Sequence, residues 1–288
     1  MKNYSVEFDG MDMPWVESPF FYDLLSSENL TDEELKLAIN FHEEGYIVLD
    51  LDLNESLIDK TIEEIRSCDN YKSQEAGYHY SEYPRIFEAW RWSRGALELA
   101  KSRKVLETLR FLYRREPLPF QTINFVGGAQ QPLHSDTIHF SSIPQRWLCA
   151  SWIALEDVGE ENGALMYVPK SHRLPIFEFR DIGVSVPEYG EQFNAYAEYE
   201  DFVAQLVKSQ GLEVRTLEAR KGQAIIWSAN LIHGSIPIAD KNRSRYSQAT
   251  HYYFSGCSRY YSPMFSDTLG GKISDKDLSN KDILGHEL

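Results

Sequence analysis

The spacing of apolar residues divides this chain into two parts. Up to about residue 118 the period is helical. Thr31 and Glu34 form a capping-box pair, since each side chain can satisfy an orphan N–H of a first turn. Leu35, Ala38, Ile39 and Phe41 then recur at helical spacing, and Gly45 supplies a stop. A short strand is expected over residues 46–49. Leu57, Ile58, Ile62 and Ile65 mark a second helix. Ala96, Leu97, Leu99, Ala100, Val105, Leu106 and Leu109 mark a third that starts near Ser93. From residue 120 the period shortens to two. Strands are expected over residues 120–126, 132–136, 147–155, 164–168, 222–227 and 245–254, all rich in aromatic and β-branched residues. Turn signals such as Val126-Gly-Gly-Ala129 and Glu161-Asn-Gly163 separate them. So many short strands imply a mainly β fold with flanking helices, built on a double-stranded β-helix, or jelly-roll, core. One domain over 1–288 is expected: a helical part to about 118, a jelly-roll core over about 119–256, and a tail over 257–288. The tyrosine- and glutamate-rich stretch 187–218, with an amphipathic helix near Phe202, Leu206 and Val207, interrupts the strands as a lid or as surface decoration.

Composition narrows the partners. The 288 residues are 42% hydrophobic, enough for one full core, and carry a formal net charge of −15. A strongly acidic chain repels polyanions, so neither nucleic acid nor a membrane surface is expected as partner, and a small-molecule substrate is. The charge is uneven. Residues 85–115 hold nine lysines and arginines against three glutamates, either a solvated helix face or a basic patch near an anionic substrate. Cys68, Cys149 and Cys257 are odd in number and widely spaced, with neither a zinc-type pair nor a disulfide framework. The opening residues lack an apolar leader and no apolar run is long enough to span a bilayer, so a reducing, cytoplasmic setting is expected. Composition leaves the oligomeric state open.

The candidate chemistry starts at His134-Ser-Asp136. On an extended segment residues i and i+2 share a face, so one imidazole and one carboxylate project together. A second histidine would complete a facial triad with open positions, a donor set that suits Fe(II). Of the eight histidines, His42 and His79 fall in the helical part, His139 follows the His-x-Asp, His172 lies in a turn, and His286 lies in the tail. His233, in Leu231-Ile-His-Gly-Ser235, stands at a strand entry able to face His134 and is the preferred third ligand. His251, on the next strand, is the reserve and is read as a core histidine.

At these residues the chain resembles the phytanoyl-CoA dioxygenase family of Fe(II)/2-oxoglutarate oxygenases. The family's His-x-Asp, Asn-Gly-x-Leu, Pro-x-Ser-His, distal His-Gly-Ser and downstream arginine are matched, in order, by His134-Ser-Asp136, Asn162-Gly-Ala-Leu165, Pro169-Lys-Ser-His172, His233-Gly-Ser235 and Arg245. Phe41-His-Glu-Glu-Gly-Tyr-Ile-Val-Leu49 also looks like the family's opening helix and strand, so the likeness runs from about residue 31 to 254. It departs at Gly222-Gln223, where the family has Gly-Asp. The resemblance implies Fe(II) on His134, Asp136 and His233, with 2-oxoglutarate as co-substrate and O2 as oxidant. Arg245 would clamp the C5 carboxylate and Ser247, on the same strand face, would add a hydroxyl. Trp152 is either the family's co-substrate tryptophan or a core aromatic. Arg243 is the rival to Arg245 but sits in a turn. Gln121 and Asn124 are further pocket candidates.

The implied reaction hydroxylates a small molecule and releases succinate and CO2. A halogenase-like enzyme would lack the carboxylate that Asp136 supplies. A zinc hydrolase would leave Arg245 without a task. A non-catalytic jelly-roll binder would be expected to have lost a ligand.

Overall fold

The computed structural model describes residues 12–67 and 83–288; Cys68 and His79 lie outside them. The helical part comprises α1 (Phe21–Ser26), α2 (Asp32–Glu44), α3 (Glu55–Ser67), α4 (Arg94–Ala100) and α5 (Arg103–Tyr113). The capping box forms as expected: Thr31 Oγ1 accepts the Glu34 N–H, and the Glu34 carboxylate accepts the Thr31 N–H at 2.9 Å. Gly45 ends α2 at φ +82°, and a Cβ there would lie 2.3 Å from His172 Nδ1, so only glycine fits.

The helix expected from Ser93 is two helices. Ser93 caps α4 by accepting the Ala96 N–H, and the chain breaks at Lys101 and Ser102 before α5. Leu97 and Ala100 of α4 meet Trp90 and Ile283, whereas Leu99 joins Val105, Leu106 and Leu109 of α5 in the main helix–sheet core.

Eleven strands are present among the described residues: β1 (Tyr46–Asp50), β2 (Arg85–Phe87), β3 (Pro117–Phe125), β4 (Ser141–Ile143), β5 (Leu148–Ala154), β6 (Leu165–Tyr167), β7 (Arg215–Leu217), β8 (Gln223–Ser228), β9 (His233–Ser235), β10 (Ser247–Phe254) and β11 (Arg259–Tyr261). The major sheet has the order β1-β8-β5-β10-β3-β2; β7-β6-β9 and β11-β4 form smaller sheets. Every named pairing is antiparallel. The expected strands recur within a few residues, except 132–136. There only His134 pairs, by a bridge to His233, and Asp136 opens a 3-10 turn over Asp136–Ile138.

Strand alternation sorts the major sheet's two faces. Cys149, Ile153, Ile226, Tyr252 and Phe254 pack against Phe41, Ile58, Leu109 and Tyr113 of the helices. Trp152, Ile225, Trp227 and Ala249 point the other way and pack with Leu165, Tyr167 and Leu217 of the smaller sheet. The jelly-roll core is therefore this pair of sheets with helices covering one outer face.

The 187–218 stretch carries α6 (Gln192–Ser209), whose Tyr196, Tyr199, Val203 and Val207 pack on Phe179, Ile138 and Ile232. The tail is more than a polar appendage, because β11 pairs with β4 and Ile283 is fully buried. Its burial depends on partners distant in sequence, which local composition does not reveal. The basic 85–115 segment is largely a solvated, ion-paired surface, as in Arg94–Glu98, Lys104–Asp52 and Arg114–Glu28; Arg85 by contrast is buried. Cys149 and Cys257 are free thiols. No helix among the described residues is long and apolar enough to cross a membrane.

Candidate metal centre and co-substrate pocket

The site is built around two histidines held side by side. The N–H of His134 donates to His233 O and the N–H of His233 to His134 O, each at 2.9 Å, which sets the two rings 4.5 Å apart. The crossing is tight. A Cβ at Gly234 would lie 2.7 Å from Gln131 O and 2.8 Å from Pro132 O, so the glycine of the His-Gly-Ser motif is sterically required. β9 reaches this position by pairing with β6, His233 opposite Tyr167. The Pro-x-Ser-His turn latches it: Ser171 Oγ accepts the Ile232 N–H at 2.8 Å and donates to Val168 O at 2.7 Å. Ser135 is extended (φ −112°, ψ 142°), so Asp136 falls on the His134 side while Ser135 Oγ turns away to Ala229 O.

The donor atoms of His134, Asp136 and His233 lie within 4.8 Å of one another, and all three residues are buried. Ligand bonds of roughly 2.1 Å let one ion bridge them after small rotamer adjustments. Each imidazole is oriented by a carbonyl: His134 Nδ1 lies 2.9 Å from Pro132 O and His233 Nδ1 2.9 Å from Leu231 O. Both contacts favour the Nδ1–H tautomer, which leaves the lone pair on Nε2. Trp227 Nε1 donates to Asp136 Oδ2 at 2.8 Å, leaving Oδ1 toward the histidines. Burial, with His233 alongside, holds the His134 imidazole well below its ordinary pKa, so it is neutral and able to ligate. Burial pushes the Asp136 carboxyl up, but the surrounding imidazoles of His233, His251 and His134 outweigh it and keep the group ionised. Two imidazoles and one carboxylate on one side of a cavity fit Fe(II).

The same cavity, about 260 Å³, is lined by Arg245 and Trp152. Arg245 is 1% exposed, and its Nη1 donates to Gly163 O at 2.8 Å. Its Nε is without a partner and, among the described residues, it forms no salt bridge. Burial, then the like charge of Arg85, pushes its pKa down to about 9, which leaves it a cation at neutral pH. The Asn-Gly-x-Leu turn positions the carbonyl it binds. Asn162 Nδ2 donates to Ser244 O and Asp157 O, and Asn162 Oδ1 accepts the Gly159 N–H, fixing Gly163 at φ +79°. The Trp152 ring lies 5.7 Å from the Arg245 guanidinium, and its buried Nε1 has no partner either.

The phytanoyl-CoA dioxygenase family model matches residues 41–245. The chain belongs to that family. A probable phytanoyl-CoA dioxygenase of Caenorhabditis elegans is 28% identical over 112 residues, 37% of this chain, and the match spans only 31% of that relative's length. Among solved structures, the non-haem α-ketoglutarate-dependent carbocyclase SnoK from nogalamycin biosynthesis superposes with a TM-score of 0.64 at 18% identity, over 88% of this chain and 95% of that one. EctD from S. alaskensis, solved with 2-oxoglutarate and 5-hydroxyectoine, gives 0.63 at 20% identity over 84% and 83%. The epimerase SnoN, solved with Fe3+, α-ketoglutarate and nogalamycin RO, gives 0.60 at 17% identity over 82% and 88%. At these identities the likeness establishes the fold, the jelly roll of iron and 2-oxoglutarate enzymes.

The remaining sequence candidates of this family member divide. His251 lines the cavity with Nε2 3.7 Å from Asp136 Oδ1, outside the three-residue donor cluster. Ser247 is fully buried on the Arg245 strand face with an unpartnered Oγ, but it is not among the cavity's lining side chains. Arg243 is half-exposed and paired with Glu161. Gln121 lines the cavity, but Asn124 does not: strand alternation turns it to the helices, where Nδ2 donates to Gln248 Oε1 at 2.9 Å. His42 lies in the last turn of α2, and His172 Nε2 lies 3.0 Å from its carbonyl oxygen. His286 packs edge-on against Trp90 at 5.0 Å.

Several lining residues escaped sequence reasoning. Gln131 Nε2 lies 3.1 Å from His134 Nε2 and donates to Tyr196 Oη at 2.9 Å, and Tyr196 in turn meets His139 at 3.0 Å. This ties α6 to the site. Trp227 could have been found by parity with Ile225 on β8. Arg85 and the tail residues Met264, Phe265 and Lys276 carry no local signal.

Proposed function

We propose that this protein is an Fe(II)/2-oxoglutarate-dependent dioxygenase that hydroxylates a small molecule, releasing succinate and CO2. In this reading His134, Asp136 and His233 hold the iron, and Arg245 takes the C5 carboxylate of 2-oxoglutarate. Trp152 supplies a nearby donor, while Ser247, expected to add a hydroxyl, stands outside the lining side chains. One observation carries the reading: a buried His-Asp-His cluster shares a cavity with a buried arginine that has no carboxylate partner among the described residues. Bound iron would supply O2 activation coupled to oxidative decarboxylation of 2-oxoglutarate.

The chain's own residues do the rest. The carbonyls of Pro132 and Leu231 hold the two imidazoles in their donor tautomers, and Trp227 holds the carboxylate. Arg245 fixes one end of the co-substrate so that its other end reaches the metal. Phe125, Phe140 and Trp152 keep water from the walls. The cavity suits a compact substrate. The fold does not fix the outcome at carbon, and an intact Asp136 favours hydroxylation over halogenation because it occupies the halide's position.

Anaerobic addition of Fe(II) and 2-oxoglutarate should give a weak visible charge-transfer band, and air should then convert 2-oxoglutarate to succinate. A zinc hydrolase would show neither, and absence of the band at saturating Fe(II) and 2-oxoglutarate would refute the reading.

A further inference from the structure

This inference rests on the reading above and adds the substrate's chemical class. The only carboxylate among the described lining residues is Asp136, whereas Arg85, Arg245 and Lys276 are all present. A divalent ion, Asp136, the dianionic co-substrate and Arg245 balance one another. Arg85 and Lys276 are left over; Arg85 is itself buried, with Nη2 donating to Gln131 Oε1 at 2.9 Å, which leaves Lys276 as the half-buried cation of the two. Lys276 sits on the tail segment, held by its N–H donating to Tyr260 O at 2.9 Å and by the bridge between Tyr261 and Asp275.

Lys276 differs from the lysines on either side of it. Lys272 pairs with Glu188 at 3.1 Å and Lys281 with Glu88 at 2.5 Å. Lys276 has no carboxylate among the described residues; its Nζ lies over the Phe140 ring, 5.0 Å from the centroid. Phe140 also contacts His251 at 5.2 Å between centroids, so a single phenyl ring separates the ammonium from the metal-site wall. An aromatic face only partly replaces water around a cation. In a chain of net charge −15, a half-buried lysine that faces a cavity whose one carboxylate among the described lining residues, Asp136, belongs to the metal cluster is placed to receive an anion from outside.

We propose that the primary substrate carries an anionic group, such as a carboxylate, that pairs with Lys276. The body of the substrate then lies along Phe140 and Phe265, with its reacting carbon toward the cluster of His134, Asp136 and His233. Lys276 is thus a specificity-determining residue contributed by the tail. Its pKa direction agrees: burial, with Lys281 nearby, lowers it, the behaviour of a cation that lacks a partner.

The test uses benzoate, benzamide and benzylamine, matched in shape and differing in charge. Binding is read by ligand-observed NMR on the full chain with saturating 2-oxoglutarate and Zn(II) as a redox-inert stand-in for iron, so that Arg245 is occupied and no turnover is needed. The unmodified protein should prefer benzoate over benzamide by roughly tenfold. Lys276→Gln should abolish that preference, and Lys276→Glu should transfer it to benzylamine. Both variants should retain the Fe(II)–2-oxoglutarate band, which shows that the fold and metal site are intact. No discrimination between benzoate and benzamide, whether both bind or neither does, overturns the proposal, as does an unchanged preference in Lys276→Gln. Loss of the band in the unmodified protein is a separate failure, of the dioxygenase reading.

Discussion

Two charged side chains are buried on opposite faces of the major sheet, and their surroundings differ. On the helix side the Glu17 side chain is 2% exposed and fully answered. Arg146 Nη1 donates to it at 2.9 Å, Ser228 Oγ at 2.9 Å and Tyr113 Oη at 3.1 Å. Burial pushes its pKa up and these donors counter the shift. This cluster ties the N-terminal segment to α5 and β8. On the cavity side Arg245 is equally buried but has one backbone carbonyl, two aromatic walls and an unpartnered Nε. A buried charge answered internally is architecture, whereas one left partly unanswered beside a cavity is a receptor for an opposite charge. Lys276 is a weaker case of the second kind.

The comparison can be broken at several strengths. The largest effect belongs to the metal cluster. His134→Ala, Asp136→Ala and His233→Ala should each abolish iron retention, measured as metal content after anaerobic reconstitution, while His251→Ala keeps it. Normal iron content in His233→Ala would remove that residue from the ligand set. Next comes Arg245→Ala, which leaves a co-substrate carboxylate without its partner. Affinity for 2-oxoglutarate, titrated by the charge-transfer band, should fall by roughly 30-fold or more, with Lys at this position recovering part of the loss.

Glu17→Ala should have the opposite profile. It strands the Arg146 guanidinium and two hydroxyls, for a loss of about 1–3 kcal/mol of stability by chemical denaturation. Affinity for 2-oxoglutarate should not change. A shifted affinity with unchanged stability would reverse the assignment of the two buried charges. The smallest effect is expected of Arg243→Ala, an exposed residue paired with Glu161, which should alter co-substrate affinity by less than about tenfold.

Local pattern carried much of this. The Thr31–Glu34 box, the stop at Gly45 and the Ser93 cap are short-range devices and appear where the sequence places them. So does the convergence of His134 and Asp136, because two successive extended residues suffice for it. The contrast in burial between Arg245 and Arg243 was also legible, since one leads into a buried strand and the other follows the turn at Lys241 and Asn242. The expected 132–136 strand failed because its neighbour across the bridge is a single residue rather than a ladder.

What the sequence by itself determined, then, is the set of elements and the chemical types available within each, since these follow from periods of two to four residues. Tertiary structure carries the preference for His233 over His251, already legible in the sequence, into a donor cluster: β9 pairs with β6, about 70 residues away, and crosses His134, 99 residues away. It also decided that Arg85 and Lys276, from opposite ends of the chain, share one cavity. Long-range juxtaposition is set by packing two sheets face to face, and no local period records which side chains that packing brings together.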